Sequence, residues 1–267
     1  MNFHDRASYA QNPVAKKLFN LMDQKRTNLA VAADVTTKQQ LLDLARMIGP
    51  EICFLKTHID IVEDFDWDLI EQLQHIAQTY NFLLIEDRKF CDIGSTVQAQ
   101  YTGGIHKICS WADATIAHAI SGEGIIKALE TASAGYDRGL LLLAHMSSQG
   151  NLIDETYSTK VCALAEKYTR FVMGCICQKK CLSNAGMIHV TPGIHMQAQG
   201  DMLGQQFTSP EKAIIEQGTD IIIVGRGIYA QDDQRAAAQR YRQAAWNAYQ
   251  SKLSVYKEIC AVDCQPG

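Results

Sequence analysis

The densest chemistry in this sequence is Asp87-x-Lys89-x-x-Asp92, inside the run Glu86-Asp-Arg-Lys-Phe-Cys-Asp92. Asp87 and Lys89 lie two residues apart, so on extended backbone their side chains point the same way. A second ammonium, Lys56, follows the apolar run Ile52–Leu55, and another apolar run, Leu29–Ala33, leads into Asp34. If those runs are neighbouring strands, Lys56 stands about one strand spacing, ~4.8 Å, from the Asp87 segment. Carboxylates and ammonium groups would then alternate in one pocket, an array suited to stabilising charge that develops on a substrate. Taken alone, D-x-K-x-x-D also fits a solvated charged turn; Lys56 and Asp34 at adjacent run ends favour the pocket. A second motif, Gly225-Arg226-Gly227, offers backbone N–H groups that an anion can approach and a guanidinium fork for phosphate oxygens. The plain alternative is a turn into a short helix.

Short apolar runs rich in β-branched residues recur along the chain and would position these groups. They are 29–33, 52–55, 82–85, 114–117, 140–144, 171–176, 187–190 and 221–224. Continuous apolar character without alternation fits parallel strands buried on both faces. Helical patterns fill the gaps. Thr37-Lys-Gln-Gln40 is a capping box, followed by Leu41, Leu44, Ala45 and Ile48 at helical spacing, with Gly49 as the C-cap. Stripes at 67–78, 163–168 and 210–217 and a last one at about 234–253 read the same way. An extra N-terminal helix, about 12–25, starts at Asn12-Pro13 with Pro at its first position. Eight such units in about 250 residues predict a (β/α)8 barrel (TIM barrel) of the α/β class. The other candidate, a doubly wound open sheet, usually carries a glycine fingerprint after its first strand, where this chain has Asp34-Val-Thr-Thr. The expectation is one barrel domain over 1–267, with a C-terminal tail at about 254–267. In a barrel, chemistry collects at the C-terminal strand ends, and phosphate binds after strands 7 and 8. Polar groups close nearly every run: Asp34, Lys56 and His58, the 86–92 segment, His118, His145-Met-Ser147, Thr191-Pro-Gly193 and Gly225-Arg-Gly227.

Composition narrows the field. With 47% apolar and 20% charged residues, the 267-residue chain is neither disordered nor fibrous. Its net charge of −4 argues against nucleic acid as a partner. The apolar runs fall far short of the ~18 residues a membrane span needs. The opening MNFHDRASYAQNP has no apolar signal-peptide stretch. Nine scattered cysteines, several inside apolar runs, argue against a secreted disulfide framework. The expected location is cytoplasmic. Cys175-x-Cys177-x-x-x-Cys181 hints at a metal site, but strand packing accounts for the first two and spacing places no fourth ligand; no metal is expected. His58, His118 and His145 read as rim or core histidines rather than ligands.

Four segments carry a resemblance: Phe54-Leu-Lys-Thr-His-Ile-Asp60, the stretch 82–94 around Asp87-Arg-Lys-Phe-Cys-Asp-Ile-Gly94, His189-Val-Thr-Pro-Gly193, and Asp220-Ile-Ile-Ile-Val-Gly-Arg-Gly227. Together they resemble the orotidine 5′-monophosphate decarboxylases, most closely the decarboxylase domain of eukaryotic bifunctional UMP synthases. The likeness runs from about Asp5 to Ala248. It implies a homodimeric barrel that converts orotidine 5′-monophosphate to UMP and CO2, the last step of de novo pyrimidine synthesis, without metal or cofactor. Lys56, Asp87, Lys89 and Asp92 match the catalytic charge network, with Lys89 as proton donor to C6. Asp92 and Thr96 would cross into the partner's site. Asp34 and Lys56 match the ribose contacts; Met146, Ser147 and Pro192 the pyrimidine pocket; Gln205, Gly225 and Arg226 the phosphate grip. The chain departs from the family pattern at Ala32 (commonly Ser), Phe207 (Tyr) and His145 (acidic). Two other readings stand beside this one: a catalytically weakened nucleotide-binding homologue, and a metal-dependent sugar-phosphate decarboxylase of the same barrel suite.

Overall fold

The computed structural model describes residues 1–196 and 206–262, with side chains up to 255. Eight parallel strands close into a barrel in sequence order. They are β1 (Leu29–Ala33), β2 (Phe54–Thr57), β3 (Leu83–Phe90), β4 (Ala114–Ala117), β5 (Gly139–Leu143), β6 (Val172–Ile176), β7 (Ile188–Thr191) and β8 (Ile221–Val224). Every residue of β1, β2, β4, β5, β6, β7 and β8 is buried. That is why the runs lack alternation: one face fills the barrel and the other packs on helices.

The helices are α1 (Phe3–Ala7), α2 (Pro13–Lys25), α3 (Lys38–Ile48), α4 (Trp67–Tyr80), α5 (Gly94–Thr102), α6 (Gly124–Ala132), α7 (Glu155–Lys167), α8 (Arg226–Tyr229) and α9 (Gln234–Val262). Asn12 caps α2 by accepting from Ala15 N (3.0 Å), and its amide reaches three main-chain carbonyls across the barrel floor. Thr37 caps α3. Gly49 ends α3 in right-handed rather than left-handed conformation; a Cβ there would lie 2.8 Å from the Tyr80 ring, so close packing is what requires glycine. α1 docks on α9: Phe3 stacks on Tyr249 at 4.0 Å between centroids.

Several boundaries differ from the sequence reading. β2 starts and ends two residues late, at Phe54 and Thr57, and its later end takes in Lys56. α7 begins eight residues before the expected stretch, because Asp154 caps a polar first turn (accepting from Tyr157 N, 2.7 Å) that carries no apolar stripe. Pro210 to Gln217 forms a π-helical turn, Lys212–Glu216, rather than an α-helix. α9 continues past Leu253 to Val262, since no Gly or Pro interrupts it before Pro266.

The largest difference is in β3, expected to stop at Ile85. It extends to Phe90 through an irregularity: Glu86 pairs with Thr115 and Phe90 with Ala117. Asp87, Arg88 and Lys89 thus occupy the length that Ile116 alone fills on β4, and the excess forces a bulge. Lys89 takes φ 47°, the left-handed region that a non-glycine residue rarely occupies. The charged segment is pinned into the sheet at both ends rather than left as a loop.

Candidate active site

A cavity of about 300 Å³ opens at the C-terminal ends of the strands. Ile116, Leu143, Ile176 and Ile223 form its apolar base, and Asp34, Lys56, His58, Asp87 and Lys89 line one wall. Lys56 Nζ lies 2.9 Å from Asp87 Oδ2 and 3.5 Å from Asp34 Oδ1. Lys89 Nζ donates to the same Asp87 oxygen at 2.7 Å. Asp87 is 6% exposed, and its other oxygen, Oδ1, is buried without a hydrogen-bond partner among the described residues. Burial alone would push the Asp87 carboxyl up; Lys56, Lys89 and His58 outweigh it and hold the group down at about 2. Lys56 is desolvated, yet Asp87 and Asp34 raise it above the ordinary lysine value. Both groups are therefore charged at neutral pH.

His58 joins this cluster, 2.7 Å from Lys56 Nζ and 3.3 Å from Asp87. Burial and then Lys56 lower its titration. The neutral ring accepts from the ammonium at Nε2, which puts its own proton on Nδ1. Burial likewise lowers His118 and His145. Spacing gave no reason to choose His58 over the other two. What selects it is contact: just past β2, its Nε2 comes within hydrogen-bond reach of Lys56 Nζ.

Across the cavity, His145, Met146, Ser147 and Pro192 form a second wall. Gly225, Arg226, Gly227 and Tyr229 form a third at the end of β8, with Phe207 beside them. The Arg226 guanidinium lies 5.9 Å from the Phe207 ring centroid. Gln206 N donates to Ser147 O at 3.1 Å, which ties the β7–β8 loop to the β5 wall. Gly227 is required by packing: a Cβ would lie 2.5 Å from the Tyr241 hydroxyl. One anionic group at Arg226, an apolar ring over the base and a charge array opposite would match a compact phosphorylated heterocycle.

The family model for Orotidine 5′-phosphate decarboxylase / HUMPS matches residues 27–241. This chain belongs to that family. Orotidine 5′-phosphate decarboxylase of Rhizopus oryzae is 50% identical over 96% of the chain and 98% of its own length. Uridine 5′-monophosphate synthase of Bos taurus is 47% identical over 91% of this chain and 51% of its own. The barrel also superposes on orotidine 5′-monophosphate decarboxylase from Methanocaldococcus jannaschii complexed with the inhibitor BMP. That match has a TM-score of 0.64 at 20% identity and covers 82% of this chain and 98% of the other.

Against the decarboxylase pattern, the chain brings Asp34, Lys56, Asp87, Lys89, Met146, Ser147, Pro192, Gly225 and Arg226 to one cavity. Asp92 does not line it; it is exposed just past β3, where its carboxylate accepts from Ile93 N at 2.7 Å. Thr96 is half-buried in the first turn of α5, also away from the cavity of its own chain. Gln205 lies outside the described residues. The three departures, Ala32, His145 and Phe207, all line the cavity. Tyr229, which the sequence reading passed over, lines it as well; its one signal was a position three residues past Arg226.

Proposed function

We propose that this chain decarboxylates orotidine 5′-phosphate to uridine 5′-phosphate, using its own charged side chains and no metal or cofactor. The observation that carries the reading is the Asp34–Lys56–Asp87–Lys89 array on one wall of the cavity at the strand ends. The phosphate would sit at Gly225 and Arg226, the ribose hydroxyls at Asp34 and Lys56, and the pyrimidine among Met146, Ser147 and Pro192. This leaves C6 and its carboxylate facing Asp87 and Lys89.

In the reacting step the bond between C6 and the carboxylate breaks, CO2 leaves, and the electron pair stays on C6. Lys89 stabilises that charge and then passes its ammonium proton to the carbon. Unit charges about 4 Å apart interact by about 4 kcal/mol at an effective dielectric near 20. An array fixed beforehand delivers this without reorganising during the step. Asp87 holds both ammonium groups in place and turns negative charge toward the substrate carboxylate. Phosphate binding at Arg226, remote from C6, supplies orientation.

The proposal includes a cytoplasmic homodimer. Asp92 and Thr96, which lie outside their own cavity, would complete the partner's. The exposed Ile61, Ile93 and Ile120 follow β2, β3 and β4 at the same end of the barrel and offer apolar surface for that contact. All seven described cysteines are free thiols, in keeping with a reducing compartment. Loss of orotidylate absorbance in the presence of EDTA tests the function: turnover undiminished by the chelator is expected. Turnover abolished by EDTA would instead favour a metal-dependent barrel decarboxylase. Binding of uridylate without turnover would favour a weakened homologue.

A further inference from the structure

Strand β6 turns Ile176 into the cavity, so Cys175 and Cys177 point the other way, toward the helical layer. There α7 presents Cys162, and the loop after β6 brings Cys181 alongside. The sulfurs of Cys162, Cys175 and Cys181 all lie within 4.8 Å of one another. Cys177, two residues along from Cys175, lies on the same side of the strand line. Cys175 and Cys177 are fully enclosed, while Cys181 is half-buried and forms the entrance.

The loop that carries Cys181 is held from both sides. Glu166, on α7, accepts from Ser183 N (2.6 Å), Ser183 Oγ (2.7 Å) and Asn184 N (3.3 Å). Leu182 N donates to the buried His189 Nε2 at 3.0 Å. A thiol needed only to fill space could sit anywhere on the β6–α7 contact. Here sulfurs from a helix, a strand and a braced loop converge on one point.

We propose that Cys162, Cys175 and Cys181 form a three-sulfur site for a thiophilic metal ion of the zinc class between β6 and α7. A Zn–S bond of about 2.3 Å places tetrahedral sulfurs about 3.8 Å apart, so the three sulfurs need to close by at most about 1 Å. Each thiol gives up its proton to solvent as the thiolate–metal bond forms, and no oxidant or reductant is involved. Three thiolates would leave one position of a tetrahedral ion to a further ligand. It ties α7 to the sheet on the opposite face of β6 from the cavity. Sequence spacing suggested Cys175 and Cys181; Cys162, thirteen residues before Cys175 on α7, is contributed by the fold.

The test is cadmium titration of the reduced protein carrying Cys91→Ser, Cys260→Ser and Cys264→Ser, which removes the exposed and C-terminal thiols. About one ion per chain, with sulfur-to-cadmium charge-transfer absorbance, and a higher Tm with zinc are expected. Cys181→Ser and, separately, Cys162→Ala should weaken cadmium binding at least about tenfold. Circular dichroism and metal-free Tm close to the parent's identify the variants that are folded and can be compared. The proposal is overturned if the parent shows no charge-transfer band. Equal cadmium affinity in parent and both folded variants overturns it too.

Discussion

Two clusters of buried charge occupy opposite ends of this barrel, and they differ in how completely they are satisfied. At the floor, Asp220 precedes β8 and is buried, as is His189 on β7. Arg6 grips both Asp220 oxygens, and the carboxylate also accepts from His189 N at 2.9 Å and faces His189 Nδ1 at 3.2 Å. Two more guanidinium hydrogens go to Ala185 O (2.8 Å) and Met187 O (2.7 Å). Burial pushes the Asp220 carboxyl up, but Arg6 and His189 overcome it and hold the group well below the carboxylate range. At the mouth, one Asp87 oxygen holds two ammonium groups and the other has no partner among the described residues. Asp34 there is 40% exposed and Lys89 sits on strained backbone. A saturated ion cluster locks chain segments together. An unsaturated one keeps electrostatic capacity for a ligand, and the strain is tolerated because the sheet pins both ends of the bulge.

The sharpest way to break this contrast is Lys89→Ala. Turnover should fall by more than about 10³-fold, with Tm nearly unchanged; near-parental turnover in the purified variant would remove Lys89 from the chemistry. Asp220→Ala should do the opposite. It leaves the half-buried Arg6 without its carboxylate and the buried His189 without its acceptor, and should cost about 3 kcal/mol of stability in denaturant unfolding, while KM of the folded fraction stays put. A large KM change would mean that the floor communicates with the mouth.

Glu86 and Asp87 are adjacent on β3 and shifted in opposite senses, which gives a test by pH. Glu86 is fully buried, accepting from Thr57 Oγ1 (2.6 Å) and Ile59 N (3.1 Å), and burial pushes it up to about 8. An acid whose folded value is raised contributes its full stability below its unfolded value, near 4.5, and loses it as pH climbs through about 8. Unfolding free energy should therefore decline on the order of a few kcal/mol from about pH 5 to about pH 9. Glu86→Gln should flatten that decline, and an unchanged slope would assign it to another group. The smallest effects belong to the wall at the end of β8, proposed to hold the phosphate. Arg226→Ala should lower kcat/KM by roughly 10- to 100-fold, the value of a hydrogen bond to a charged group. Phe207→Tyr should raise it by up to about tenfold. No change in the latter would place residue 207 out of reach of the phosphate.

The barrel was legible because parallel strands buried on both faces leave continuous apolar runs, and seven of the eight strand ends moved by two residues or fewer. α5 and α6 were not. The buried set on α5 is only Val97 and Tyr101, and α6 packs a short patch, Ile125 to Leu129, too brief for periodicity to register. At the site, the residue types and their order around the mouth could be read in advance, but not which group faces which. His58's contact with Lys56, and Tyr229 altogether, entered through geometry alone.

What the sequence by itself determined is the family, the barrel and the set of charges at its mouth, because those depend on local hydrophobic pattern and on motifs contiguous in the chain. What only the tertiary structure decided is how those charges are shared. The bulge in β3 lets one Asp87 oxygen hold Lys56 and Lys89 while the other is left unpaired. Cys162 meets Cys175 and Cys181 only because α7 packs on β6. Both depend on contacts between segments far apart in the chain, and no spacing rule along a single segment encodes them.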